Sequence, residues 1–284
     1  MNYDAQEIID TVASLDDAEI DLGLVSIALA ALDQSGISMD RYIHHLKALA
    51  NDTQERYADI LKDRDFETLE ARLQALCDVI GDQHGYVGDN QTYDDLQNAN
   101  LIRVIERSKG IPITLAILYI CTGRALGWDV CGLNIPGHFV CRIEYDGKRL
   151  VFDPFDGGKI LEAPDLRMLV KRAMGERAEL SAQLFEAASN RDIILRLQNN
   201  IKHRQIEAED YEAALLCVQR MLKIAPDDYR LLLDAGVLYA KVEQTGAAID
   251  ALEGYISGMP KAQIYKGDAR DAQLLLEELK GRLN

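Results

Sequence analysis

No two of the five cysteines (Cys77, Cys121, Cys131, Cys141, Cys217) are spaced as CxxC, and their number is odd. That pattern offers neither a disulfide framework nor a zinc cage, so the thiols read as reduced and mostly buried. Histidine is as sparse, at five in 284 residues. The adjacent pair His44 and His45 falls in a helical pattern, where neighbouring side chains diverge by about 100° and cannot face one ligand together. His84 lies in GDQHGYVGDN, a turn-rich stretch that reads as surface loop. No cofactor is implied. Gly157-Gly158 is a lone pair after a strand rather than a phosphate-binding loop, and metal-ligand spacing is missing.

Positive charge is the other shortage. Thirty-one Lys and Arg stand against 47 Asp and Glu, a formal charge of −16, which repels nucleic-acid phosphates and anionic lipid. The partner expected from this balance is a protein or peptide, a basic one by charge, with no nucleic acid and no membrane. The mildly basic run Lys171 to Arg177 (KRAMGER) reads as a solvated face. The longest apolar stretch, Leu24 to Leu32 (LVSIALAAL), is far below the ~20 residues that span a bilayer. The N-terminal MNYDAQEIID has acid where a secretory signal starts basic, so a cytoplasmic location is expected.

What the chain does have is helical periodicity. Apolar residues recur at helical spacing in AQEIIDTVASL, IDLGLVSIALAALDQSG, MDRYIHHLKALANDTQERYADIL and FETLEARLQALCDVI, with Gly36 and Gly81 placed as helix stops. NANLIRVIERSK predicts a short capped helix ending at Gly110. Pro112 then suits the first turn of ITLAILYICTGRAL, which stops at Gly127. WDVCGLNI, HFVCRIEY and RLVFD have strand composition, and Asp146-Gly147 is a hairpin signal. Beyond residue 190 strand signals cease. Pro226 and Pro260, Ala214 and Ala248, and Val218 and Leu252 are each 34 apart, the period of tetratricopeptide helix pairs. The second copy places Leu232, Gly236, Tyr239, Ala248 and Pro260 at motif positions. The first is degenerate, with Gln198, Lys202 and Gln205 at the positions of Leu232, Gly236 and Tyr239, and Asp268 to Leu283 reads as a cap. The expected fold is α+β and mostly helical: an N-terminal helical layer over 1–90, an α+β core with a small antiparallel sheet over 91–175, and a helical array over 190–284.

A two-residue turn at Asp146-Gly147 makes paired residue numbers sum to 293, so Val140 faces Asp153 and His138 faces Phe155. His138 and Asp153 then share a sheet face as diagonal neighbours, roughly 7–8 Å apart at the backbone, within reach of a carboxylate–imidazole hydrogen bond. Such a pair orients the imidazole, or is a satisfied polar contact at a sheet end. Cys141 has the opposite parity and should bury against a helix.

The segments SKGIPITLAILYICTGRALGW, PGHFVCRI and LVFDPFDGG, in this order, resemble the transglutaminase-like core of the bacterial SirB family, in which tetratricopeptide repeats follow. The resemblance implies a papain-like core whose nucleophilic cysteine opens the helix before the sheet, with His and Asp on the following strands. His138 and Asp153 match the latter two. The nucleophile position falls at Pro112 or Ile113, neither with a nucleophilic atom. Cys121 lies eight or nine residues further on, about 12–13 Å along the helix axis. Thr114 and Ser108 are the nearest hydroxyls, and Cys131 is the thiol whose strand could neighbour His138. Asn98 matches an Asn that the family follows with Ser, where this chain has Ala99.

Two functions follow as expectations. One is a non-catalytic transglutaminase-like and repeat protein that binds a peptide or protein partner, with His138 and Asp153 a retained pair and Asn98, Thr114 and Cys131 as candidate pocket lining. The other is a papain-like peptidase, amidase or acyl-transfer enzyme that uses His138 and Asp153 with an unconventional nucleophile.

Overall fold

The computed structural model of the chain describes residues 3–34, 36–62, 66–260 and 267–283; Met1, Asn2 and Ser35 of the helical patterns above lie outside the described residues. In chain order the helices and strands are α1 (Ala5–Thr11), α2 (Leu22–Leu32), α3 (Asp40–Lys62), α4 (Leu69–Cys77), β1 (Val87–Gly88), α5 (Leu101–Arg107), β2 (Lys109–Gly110) and α6 (Pro112–Ala125). There follow β3 (Asp129–Leu133), β4 (Val140–Tyr145), β5 (Lys148–Asp153), β6 (Lys159–Ile160), α7 (Ala163–Met174), α8 (Asn190–Glu207), α9 (Tyr211–Ile224), α10 (Arg230–Lys241), α11 (Thr245–Gly258) and α12 (Gly267–Leu283). The chain forms two compact units, one of Met1–Ile8 with Asp16–Leu197 and the other of Ile9–Leu15 with Gln198–Asn284.

The first unit is organised around α6. Its sequence is apolar on every side, and a helix without a polar face has to be enclosed. Eleven of its 14 residues are buried, Pro112 to Ile120 without interruption, then Thr122 and Gly123. Pro112 takes the first helical position, where its missing N–H costs nothing. Helices α2, α3 and α4 cover α6 on one side, and the sheet covers it on the other. That sheet runs in the order β3-β4-β5-β6, antiparallel throughout. Tyr145 pairs with Lys148 and Cys141 with Phe152, so the residue-number sum of 293 holds along the whole β4–β5 ladder. Asp146 (φ 51°) and Gly147 (φ 71°) have the left-handed backbone that a two-residue hairpin turn requires. Cys141, Ile143 and Phe152 are fully buried, with the Phe152 ring centroid 5.6 Å from that of Tyr119 on α6. The opposite face buries Cys131, Leu133 and Val140 under Leu166 and Val170 of α7.

Three local readings are corrected. Gly81 does not stop a helix: α4 widens into a π-helical turn, Asp78–Gln83, that carries the chain past it. The helix predicted from Asn98 to Lys109 splits into a tight 3-10 turn, Leu96–Ala99, and α5, capped by the Asn100 side chain. Gly110 pairs with Gly88 in a two-residue parallel ladder between β1 and β2, which composition did not announce.

In the second unit α9, α10, α11 and α12 pack in succession. The 34-residue period becomes burial: Ala214, Ala248, Val218 and Leu252 are all at 0% exposure. At Gly236 an added Cβ would stand 2.7 Å from Leu252, so glycine lets α10 and α11 approach closely. Residues 9–15 group with the repeats, Asp10 pairing with Lys223 at 2.7 Å.

Glycine is most constrained at Gly158, whose φ is +81° and whose absent Cβ would meet Cys77 Sγ at 2.1 Å. Gly158→Ala is expected to destabilise the first unit by roughly 2–4 kcal/mol, from overpacking added to left-handed strain. Gly147→Ala, in open space at φ +71°, should cost only about 1 kcal/mol. Urea titration followed by Trp128 fluorescence checks both, since Trp128 is the sole tryptophan and is buried in this unit.

Candidate functional site

Between β3 and β4 the chain turns at Pro136-Gly137, with Gly137 at φ +72° and the His138 N–H donating to the Ile135 carbonyl at 3.1 Å. Strand β4 begins only at Val140, so His138 stands outside the ladder and does not face Phe155 in strand register. The sheet ends early because the turn consumes the residues that would have extended it. Phe139 is buried, its ring lying where a side chain on Gly132 would be, 2.4 Å from that Cβ position. From α8, Arg196 donates to the carbonyls of Ile135 (3.2 Å) and His138 (2.8 Å), and its guanidinium lies 5.2 Å from the Phe139 ring centroid. Burial pushes the Arg196 pKa down. The turn is thus held from both sides.

From this turn His138 Nε2 comes 2.7 Å from Asp153 Oδ2. Asp153 ends β5, and its other oxygen, Oδ1, accepts the Phe155 N–H at 2.9 Å, capping the short turn Pro154–Asp156. One carboxylate therefore performs two tasks: the cap fixes its plane, and its free oxygen fixes the imidazole. With the Nε2 proton shared with a carboxylate, the neutral ring offers Nδ1 as its basic atom. Both side chains are mostly enclosed, at 17% and 10% exposure.

Aromatic rings continue the site. Phe155 meets His138 edge-on at 6.3 Å and Tyr93 edge-on at 5.8 Å, and Gly88 leaves room for the Phe155 ring, which a Cβ there would meet at 2.7 Å. Tyr93 is carried by a loop that hydrogen bonds hold shut. Asp89 accepts from the Gln91 and Thr92 N–H groups and the Thr92 hydroxyl, which hold its pKa well below the usual carboxylate range. Arg107 bridges Asp89 and Asn98 Oδ1, and Asn98 Nδ2 donates to the Thr92 carbonyl at 2.6 Å. Sequence reading missed this network. Its local signal was the Asx-turn composition of GDNQTYDD; Arg107, twelve residues beyond Asp95, gave no local sign of joining it.

Of the residues considered as pocket lining, Asn98 and Thr114 are wholly buried. The Thr114 hydroxyl accepts from Ile111 N–H at 3.0 Å and donates to the Asn98 carbonyl at 2.9 Å. A side chain at zero exposure cannot wall an open pocket, so these two act as internal ties. Ser108, in left-handed conformation, donates to the His84 carbonyl at 3.2 Å. Cys131 packs on the α7 face of the sheet, and the hydrogen bonds and ring contacts of His138 go to other residues. Cys141 points into α6, its Sγ 3.9 Å from the Ala116 carbonyl oxygen. Burial raises the thiol pKa at Cys131 and Cys141, and at Cys77 and Cys121 to about 12. Pro112 and Ile113, at the position where the resemblance implies a nucleophile, are buried.

His84, read as a loop residue, has a partly buried side chain: its Nε2 lies 2.7 Å from Asp52 Oδ2 and its ring 5.4 Å from His45, whose Nε2 bonds the Tyr86 hydroxyl. His44 is exposed and bonds the Asp40 carbonyl. Among the described residues no cluster of three His, Cys, Asp or Glu could hold a metal ion.

The fold and this site define a transglutaminase-like core joined to a helical repeat array. The transglutaminase-like superfamily model matches residues 40–199 and a tetratricopeptide repeat model matches residues 201–280. The chain belongs to the transglutaminase-like superfamily, and within it to the SirB type, with C-terminal tetratricopeptide repeats. A UPF0162 protein of Xylella fastidiosa strain Temecula1 is 34% identical over 62% of this chain and 64% of that protein, a little under two thirds of its length. A UPF0162 protein of strain 9a5c is 29% identical over 88% of both chains. Protein SirB1 of Salmonella typhimurium is 22% identical over 77% of this chain and 79% of that protein.

The thiols give a test with a defined sign. At pH 8 a thiol with a pKa of about 12 has on the order of one thiolate in 10⁴. Ellman's reagent should titrate all five cysteines in denaturant. In the native protein Cys77, Cys121, Cys131 and Cys141 should react at least about tenfold more slowly. Because folding raises these pKa values, their contribution to stability is full below about pH 9 and falls as the pH rises toward 12. The urea midpoint read at Trp128 should therefore drop between pH 9 and pH 11, and a flat profile would contradict the assignment.

Proposed function

We propose that this chain is a non-catalytic transglutaminase-like scaffold that binds a peptide or protein partner through its repeats in the bacterial cytoplasm. The observation that supports it is the state of the α6 N-terminus. A thiol there would be activated by the helix end and the histidine. Pro112 and Ile113 occupy the position instead, and the four thiols of the first unit are driven away from the thiolate form by burial. In this reading His138 and Asp153 are a retained pair that shapes the turn and its aromatic neighbours. Repeat helices expose extended surfaces suited to holding a partner chain. Among the described residues no helix is long and apolar enough to cross a membrane.

A second reading, a peptidase, amidase or acyl-transfer enzyme, draws support from the 2.7 Å His138–Asp153 bond, which is the geometry of an oriented general base. The two readings separate in one experiment. Purified full-length protein incubated with casein, anilide amides, and a glutamine donor with an amine acceptor is expected to show no turnover above buffer. Turnover that disappears in His138→Ala, with the variant still folded by circular dichroism, overturns the scaffold reading in favour of the enzyme.

A further inference from the structure

Helices α10 and α12 enclose a groove of about 570 Å³ in the second unit. That is the size of a small-ligand site, enough for a few side chains of a partner and not for a folded domain. Its floor is apolar, with Leu233, Val237, Ala272 and Leu275, and Val237 is 38% exposed. Its charges are unequal. Asp234 is neutralised by the buried Lys202, Nζ to Oδ2 at 2.5 Å; the Lys241 ammonium, 5.3 Å from the Tyr211 ring centroid, is the lining's remaining cation and stands against two carboxylates, which leaves the lining one negative charge in excess. Asp268 and Asp271, on the α12 rim, have neither a hydrogen-bond nor an ion-pair partner among the described residues. Asp268 sits in the first turn of α12, where the helix dipole favours an acid; Asp271 lies a turn further on and gains little from it.

Residues three apart on a helix are neighbours, with Cβ atoms about 5–6 Å apart, so a single cation can lie between both carboxylates. An acidic occupant would repel them, and an apolar one would strip water from them without replacing it. We propose that this groove takes a basic, apolar segment of a partner protein, with a lysine or arginine between Asp268 and Asp271 and leucine-sized side chains on the floor. The inference rests on the scaffold reading and names the chemistry of its partner.

The test uses the full chain and a fluorescein-labelled 12-residue peptide of leucine and lysine at helical spacing, beside the same peptide with glutamate for lysine, read by fluorescence anisotropy. The lysine peptide should bind. Asp268→Asn with Asp271→Asn should weaken it about tenfold, and Val237→Arg should block it by comparable amounts. Glu55→Gln with Glu179→Gln, the same charge change on exposed residues of the first unit, should alter binding by less than about twofold. Equal weakening by both double variants overturns the proposal, since net charge alone would then be the attraction. So does a preference for the glutamate peptide, or no binding of the lysine peptide. Failure of the scaffold reading would show separately, as His138-dependent turnover.

Discussion

Helix α6 has to be surrounded, and much of the first unit answers that requirement. Eleven of its 14 residues are buried, and each large apolar side chain so placed is worth roughly 1.5–3 kcal/mol. Three helices and a sheet are what it takes to cover such a cylinder, and α2, α3, α4 and β3 to β5 are those elements. The site inherits its geometry from this enclosure. The sheet face that meets α6 takes Cys141, Ile143 and Phe152, which forces alternate residues outward and leaves Asp153, just past Phe152, at the end of the strand. The start of α6 is held by Thr114 bonding Asn98, and Asn98 in turn holds the loop that sets Tyr93 against Phe155. Packing around one helix therefore reaches the imidazole through a chain of named contacts.

Elements whose residues carry local rules were legible in the sequence. The β4–β5 register follows from Asp146-Gly147, because a two-residue turn leaves no freedom in pairing, and it puts Cys141 on α6 as parity requires. Pro112 and Gly127 bracket α6 because proline suits a first turn and Gly127 adopts φ +71°. The repeat period was legible because close-packed positions tolerate few residue types. Features decided by tertiary contacts were not. His138 was assigned to a strand, yet the Pro136-Gly137 turn and Arg196, 58 residues away, hold it outside one. The β1–β2 ladder joins glycines 22 apart in sequence, and the need for glycine at position 88 comes from Phe155, whose ring a Cβ there would meet. His84 looked like a loop residue because Asp52, which binds it, lies 32 positions upstream.

The chemistry of the site is a matter of which groups water can still reach. Asp153 satisfies a backbone N–H and an imidazole at once, so either role would keep it in place. Removing the carboxylate would orphan two donors in an enclosed setting, at a cost of about 1–3 kcal/mol for each such group left unpaired. The pair is therefore self-sufficient as structure. Nucleophilic catalysis needs something further, a thiolate or activated hydroxyl within reach of the ring, and the nearest hydroxyl candidates, Thr114 and Ser108, already donate to backbone carbonyls. The scaffold proposal rests on this distinction between an imidazole that is oriented and a nucleophile that is poised.

The degenerate first repeat bears on the same question from the other unit. Where the second copy has Gly236 to let helices approach, the first has Lys202, buried at 5% exposure. A buried ammonium is costly unless paired, and Asp234 supplies the pair from within the groove wall. The Lys202–Asp234 pair therefore neutralises one of the groove's three aspartates, and the other two, both on α12, remain with the Lys241 ammonium as the charges of its lining. Lys202 thus ties α8 to α10 through Asp234, where Gly236 in the next copy instead lets α10 and α11 approach closely.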